Sequence, residues 1–188
     1  MRGDEQQLIC AWIEADNMRM RCVNAVAELS LPDCYIAAGF VRNLIWDKLT
    51  QRQTLLTDID VIYFDRDNTS AMQDRYYERL LELNSPIGGQ SKWSVKNQSR
   101  MHLRNGDLAY KSSLDAMTYW PEKETAIGVR LDEKGELELG LAFSHFNYCA
   151  LTLTHNPKRA REIFQQRISH KNWLTHWPEL KVVVDSES

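Results

Sequence analysis

The sequence predicts an α/β fold of the α+β kind: a mixed sheet flanked by helices, followed by a C-terminal hairpin and further helices. Three stretches carry that expectation. Cys34 to Ala38 is a short apolar run that passes through Gly39 into apolar residues at helical spacing, Val41, Leu44, Ile45 and Leu49. Thr57 to Phe64 alternates polar and apolar and then becomes continuously apolar, as a strand with a buried far half does. Ile127, Val129 and Leu131 alternate, Glu133-Lys134-Gly135 turns, and Leu137, Leu139 and Leu141 alternate again, which is the pattern of a hairpin. With 188 residues the chain is long enough to bury one sizeable core. We expect one domain over residues 1–188, with a core at about 30–110 and a hairpin and helical part at about 111–183.

The elements follow in order. Leu8, Ile9, Trp12, Ile13, Met20, Val23, Val26 and Ala27 hold helical spacing well enough for one long amphipathic helix, with Asp4 and Gln7 as a capping pair. Pro32 and Asp33 break the chain before the first strand. After Phe64, Asp65 to Ser70 is a polar turn with capping residues, and Met72, Tyr76, Leu80 and Leu83 mark the next helix. Ser85 to Gly89 should end it, and Gly88 to Lys92 reads as a mobile loop because its spacing is not that of a P-loop. Trp93 to Asn97 is a third strand, with Ser94, Lys96 and Gln98 on one face and Trp93, Val95 and Asn97 on the other. Ser112 to Trp120 is a short capped helix stopped by Pro121. Asn156 and Pro157 are the cap and first turn expected of a last helix, with Ala160, Ile163, Phe164 and Ile168 inward. Trp173, Trp177 and Pro178 pack its end down.

Composition removes several function classes. A formal charge of −3 provides no general field for polyanions or anionic membranes, so any nucleic-acid contact needs a local patch. The most basic stretch is Lys158, Arg159, Arg161, Arg167 and Lys171, and it serves as a nucleic-acid surface only if those charges gather on one side. No apolar run is long enough for a membrane, and Met1 to Gln7 is too polar to begin a signal peptide, so a cytoplasmic location is expected. Cys10, Cys22, Cys34 and Cys149 are isolated and fit neither a zinc site nor a disulfide framework. None of the five histidines has metal or triad spacing, and His102 is of interest only for its neighbours in sequence.

The chemistry concentrates at Asp58 and Asp60. Residues i and i+2 of a strand share a face about 6.6 Å apart, so two carboxylates stand side by side. A hard cation such as Mg2+ takes oxygen ligands of this kind; the plain alternative is a solvated strand start in which Asp58 caps a turn. Upstream, Gly39 lets the backbone approach a ligand, and the first amides of its helix are unpaired donors at the positive end of the dipole. Such a place binds phosphate. Arg42 and Asn43 stand in the first turn, within expected reach of the same anion, and Arg suits the oxygens of phosphate; the plain alternative for Arg42 is a solvated surface charge.

Ala38-Gly39 opening a helix and Asp58-Ile59-Asp60-Val61 resemble the DNA polymerase beta type nucleotidyltransferase superfamily. With Phe40-Val41-Arg42-Asn43, Val95-Lys96-Asn97-Gln98, Met101-His102 and Trp177-Pro178, the chain is similar from about Tyr35 to Val183 to a family of bacterial nucleotidyltransferase-like proteins. The resemblance implies metal-dependent transfer of a nucleoside monophosphate from a nucleoside triphosphate to a hydroxyl acceptor of unknown identity. Asp58 and Asp60 would be the catalytic residues and the ligands of one or two Mg2+ ions. Gly39, Phe40, Arg42, Asn43, Lys96 and Asn97 would bind nucleotide. Phe40 stands where the superfamily usually has a second Gly or Ser. The superfamily also takes a third carboxylate from a later strand, yet no Asp or Glu lies between Gln90 and Arg104. Asp107 and Asp115 are the substitutes at hand. A nucleotide-binding or regulatory module that has lost catalysis is the alternative.

Overall fold

The computed structural model describes residues 3–84 and 91–184. Ser85 to Gln90, expected to end a helix and begin a loop, lies outside them. A five-stranded mixed sheet forms the centre, in the order β3-β2-β1-β4-β5. Its strands are β1 (Tyr35–Ala37), β2 (Asp58–Tyr63), β3 (Lys92–Asn97), β4 (Ile127–Leu131) and β5 (Leu137–Leu141). β1 runs antiparallel to both β2 and β4, β2 runs parallel to β3, and the β4–β5 hairpin completes one edge. The sheet therefore takes two strands from beyond residue 110. Gly128 and Gly140 face each other across the hairpin, and a Cβ at either would stand 2.9 or 2.6 Å from Tyr35, so this pair makes room for that ring.

Helices α1 (Gly3–Glu14), α2 (Asn17–Glu28), α3 (Gly39–Thr50) and α4 (Ala71–Asn84) accompany the sheet. Ile9, Val23, Phe40, Ile45, Ile59, Val61, Val95 and Val129 from helices and strands form the main core. The single long N-terminal helix expected from periodicity is in fact two. Asp16 is the reason: in extended conformation it accepts hydrogen bonds from the amides of Met18 and Arg19 and so caps a new helix start.

The other face of the sheet is more thinly covered. Tyr35, Ala37 and Ile62 pack there against Met117 and Ala126, and α5 (Met101–Asn105) and α6 (Ser113–Met117) lie in the chain between β3 and β4. The last part of the chain forms a two-stranded parallel sheet, β6 (Thr152–Thr154) with β7 (Lys181–Val183), around α7 (Arg161–Lys171) and α8 (Trp173–His176). The last long helix begins later than Asn156 and Pro157 suggested. Asn156 is buried and donates its side-chain amide to the carbonyls of Thr118 and Trp120, both at 2.7 Å, so it ties two segments together before α7 starts. Of the expected inner face, Phe164 is buried and Ile168 partly so, while Ile163 and Ala160 are exposed.

Trp177 fixes the C-terminal segment to α3. Its indole donates to Asp47 at 2.9 Å, and its ring meets Trp46 edge-on with centroids 5.0 Å apart. No described helix is long and apolar enough to cross a membrane.

Candidate functional site

β2 begins at the sheet's thinly covered face. Asp58 is exposed and Asp60 half-buried, and Asp60 pairs with Ala37 on one side and Ser94 on the other. Among the described residues neither carboxylate has a hydrogen bond or ion pair. Burial pushes Asp60 above the ordinary carboxylate range and neighbouring Asp58 adds to this, while Lys171, Arg42 and Arg167 pull the other way. An oxygen-only pair of carboxylates with unused lone pairs suits a hard divalent cation.

A cavity of about 520 Å³ opens beside the pair. Its first wall is the β1–α3 turn. Ala38 has φ 57 and ψ −125, and its carbonyl receives the amides of Val41 and Arg42, so the amides of Gly39 and Phe40 have no acceptor among the described residues. The unusual backbone angle thus falls on Ala38, and Gly39 itself is helical. A Cβ built on Gly39 would touch Arg42 and Asn43 only at 3.5 Å, an ordinary contact. The fold therefore tolerates a side chain there, and bare backbone at this position serves whatever approaches the amides.

Arg42 belongs to the same turn. Its guanidinium packs into the corner formed by the edge-on rings of Trp46 and Trp173, 4.9 and 4.6 Å from their centroids, and donates to Thr125 at 2.8 Å and to the Asn43 side chain at 2.8 and 3.2 Å. Burial lowers its pKa to about 10, which leaves it charged at neutral pH; Glu122 opposes that drop, and Arg167 reinforces it. The second wall is the 53–57 segment, and the third is α7–α8, which brings Arg167, Lys171 and Trp173 to the carboxylates. Thr125 passes a hydrogen bond to the fully buried Glu122, which also holds Arg167 by two contacts at 2.5 and 3.1 Å. Lys171, one helical turn beyond Arg167, makes no hydrogen bond or ion pair among the described residues, and its charge bears on Asp60.

The structure distributes the sequence candidates unevenly. Asp58, Asp60, Gly39, Arg42 and Asn43 meet at this cavity. Phe40 does not reach it through its side chain, which is 0% exposed in the core; its carbonyl instead accepts from Arg19 at 3.0 Å. Asn97 is also 0% exposed, on the opposite face of β3 from Ser94. Both donors and the acceptor oxygen of its amide are occupied, by Asp65 and Asn68 carbonyls and by the amides of Asp65 and Ser99. It anchors the turn after β2 and has no bond to spare for nucleotide. Lys96 lies on the correct face but beyond Asp60, with its ammonium held by Glu78 and by the Val95 carbonyl at 2.7 and 2.9 Å.

No third carboxylate joins the pair: among the described residues no three of His, Cys, Asp or Glu could hold a metal together. The residue abreast of Asp60 on the parallel strand is Ser94. Asp107 instead forms a double contact with Arg159, and Asp115 accepts from the Lys111 amide. The basic stretch is dispersed as well. Arg159 is spent on Asp107, Lys158 on Thr118 and the Tyr119 ring, and Arg167 on Glu122. Sequence reasoning missed Arg167, Lys171, Thr125 and Trp173 as one wall of the site. Their only signal was the four-residue interval between Arg167 and Lys171, which puts both on one helix face.

The sheet order, the paired-carboxylate strand and the glycine that opens α3 define a nucleotidyltransferase-like fold. Residues 24–182 match a family model described as Nucleotidyltransferase, and the chain belongs to that family. It is similar, at 32% identity and TM-score 0.80, to a protein whose NMR structure is described as revealing a CCA-adding enzyme head domain; the match covers 96% of each chain. It also shares a fold, at 12% identity and TM-score 0.54, with a CCA-adding enzyme in complex with CTP, over 97% of this chain and 41% of that one. No curated protein matches this sequence.

Proposed function

We propose that the protein transfers a nucleoside monophosphate from a nucleoside triphosphate to a hydroxyl acceptor. The observation that carries this reading is the meeting around one cavity of Asp58 and Asp60, whose carboxylates have no hydrogen bond or ion pair among the described residues, of Gly39, whose amide has no acceptor there, and of the cations Arg42 and Lys171. Family membership supports it, as does the likeness to a CCA-adding enzyme head domain.

Each part has a role that its chemistry suits. The amides of Gly39 and Phe40, at the positive end of α3, bind the phosphate oxygens. Arg42 is held rigidly by its two indoles and by Thr125, so it adds directed donors without losing side-chain freedom on binding. Lys171 supplies a mobile charge at the rim. Asp58 and Asp60 would hold Mg2+, which on binding supplies charge neutralisation at the reacting phosphate. The acceptor oxygen forms a bond to the α-phosphorus, the bond from that phosphorus to the bridging oxygen breaks, pyrophosphate leaves with the electron pair, and the hydroxyl proton passes to water at the open rim.

A second reading is favoured by the lack of a third carboxylate beside Asp60 among the described residues: the domain binds nucleotide and does not turn it over. One experiment decides both. Thermal unfolding of wild type and of Asp58→Asn/Asp60→Asn is followed against ATP, CTP, GTP and UTP with and without Mg2+, alongside pyrophosphate release. A ligand at a hundredfold above its Kd stabilises by about 2.7 kcal/mol. A Mg2+-dependent shift that the double variant loses, together with pyrophosphate release, is the expected result. A shift without release, in the presence of cytidine, adenosine, glucose or a short RNA with a free 3′ hydroxyl as acceptor, supports the binding module, and no shift with any triphosphate ends both readings.

A further inference from the structure

A second cavity, of about 230 Å³, lies on the far side of Asp60 from the first. Ala38, Asp60, Thr125 and Arg167 line both, so the two are compartments of one trough that meet at the inner carboxylate. The second compartment runs along the sheet face past Ser94 and Lys96 to Gln98, and is closed by Met101, Asn105 and Trp120. We infer that this compartment seats the acceptor, and that the acceptor presents to it an uncharged, hydroxyl-bearing ring. The inference rests on the nucleotidyl-transfer reading of the first compartment.

Three observations carry it. In-line displacement requires the attacking hydroxyl and the departing pyrophosphate on opposite sides of the α-phosphorus. With the triphosphate on the α3 amides, Arg42 and Lys171, that opposite side is the second compartment, and a nucleotide-binding module without turnover would have no use for it. Its charges are also already spoken for: Lys96 is held by Glu78 and Arg167 by Glu122. No free cation among the described lining residues is left to hold a phosphate, and no carboxylate other than Asp60 is left to draw a cationic acceptor. The remaining polar groups are neutral. Ser94 makes no side-chain bond among the described residues, Gln98 uses only its amide nitrogen, on the Lys96 carbonyl, and Asn105 uses only its amide nitrogen, on Tyr110. Hydroxyl and carbonyl oxygens of this kind accept from hydroxyls, and Trp120 offers an aromatic surface to a ring. The volume is below the roughly 300–1,000 Å³ of sites for drug-sized ligands and so suits one ring system. A free sugar or nucleoside has this chemistry, and so does the 3′-terminal nucleoside of an RNA strand.

The test uses the side-chain indole signals of 15N-labelled full-length protein, with Trp120 assigned through Trp120→Phe and Trp173 through Trp173→Phe. ATP and CTP with Mg2+ should shift Trp173 and leave Trp120 in place. Cytidine, adenosine, glucose and a short RNA with a free 3′ hydroxyl are then added separately to the nucleotide-loaded protein. A Trp120 shift with any of them is the expected result. Shifts with the small molecules but not the RNA assign a free acceptor, and shifts with nucleosides and RNA alike assign a strand end. Ser94→Leu, which narrows the compartment, should weaken that response at least tenfold and leave the Trp173 response unchanged. If the triphosphate itself shifts Trp120, or if Trp173 responds and none of the probes moves Trp120, the acceptor assignment is overturned while nucleotide binding stands. If Trp173 does not respond to any triphosphate, the parent reading fails instead.

Discussion

Asp60 is held among groups that disagree about its charge, and the disagreement can be measured. Its folded pKa is raised by burial and by Asp58, so between its ordinary value of 3.8 and the raised one the folded chain binds more protons than the unfolded chain. Stability on this account is full below the ordinary value and falls as pH rises through the folded one. Asp60→Asn, without divalent ions, should therefore melt higher than wild type at pH 7, and the difference should close as pH falls toward the ordinary carboxylate range. Mg2+ added at pH 7 should narrow the gap by stabilising the wild type alone. Asn97 gives the opposite case. Asn97→Ala leaves the amides of Asp65 and Ser99 without their acceptor, at a cost of about 1–3 kcal/mol each where they are buried, yet nucleotide affinity in the folded fraction should be unchanged. Denaturant unfolding and a binding titration on the same samples separate the two. The sequence made Asp58 and Asp60 legible because strand period is local. It also sorted Asn97 from Lys96 correctly by face, but which face is core depends on helices placed elsewhere, so Asn97 was given a ligand and the burial of the Phe40 side chain was not legible.

At the scale of the element, the start of α3 is where a single methyl group should separate stability from binding. Gly39 is helical and a Cβ there meets nothing closer than 3.5 Å, so Gly39→Ala should gain up to about 1 kcal/mol of helix stability. The same methyl stands beside the unpaired amides, and the Kd or KM for nucleoside triphosphate should rise at least tenfold. A variant that melts higher and binds as tightly as wild type would remove phosphate from this turn. The α1–α2 break shows the limit of periodicity. Apolar spacing continues through Ala15 and Asp16, while the capping bonds of Asp16 interrupt the backbone. Strands β6 and β7 were not legible because each has three residues, too few for alternation to register, and each finds its partner far along the chain.

Across the whole molecule, the site closes only when the end of the chain returns to α3. Trp173 stacks on Arg42, Trp177 bonds Asp47, and β7 pairs with β6. Ending the chain at Asn172 removes both indoles and the last strand. Truncating one buried tryptophan costs about 3–5 kcal/mol, and a domain has only about 5–15 kcal/mol in all, so the shortened chain should fail to unfold cooperatively. A sharp melting transition in the truncated chain would show instead that the wall formed by α7 and α8 is an independent addition. The dispersed basic residues bear on partners. With Arg159, Lys158 and Arg167 committed to internal contacts, few charges remain for phosphodiesters, and affinity for an arbitrary short RNA should fall less than about tenfold between roughly 50 and 200 mM salt, against the thousandfold or more of a protein with six or more phosphate contacts.

The backbone of Ala38 has a consequence of its own. A residue with a Cβ at φ 57 and ψ −125 sits where glycine alone is comfortable, at a cost of about 1–3 kcal/mol that the surrounding structure must over-determine. Its amide is bonded to the Ile127 carbonyl and its own carbonyl receives two amides of α3, so β4 and the helix together hold the strained peptide in place. Ala38→Gly would relax that spring. The protein should become more resistant to heat and at the same time a poorer binder of nucleotide, because the turn would no longer be held in one shape before the phosphates arrive.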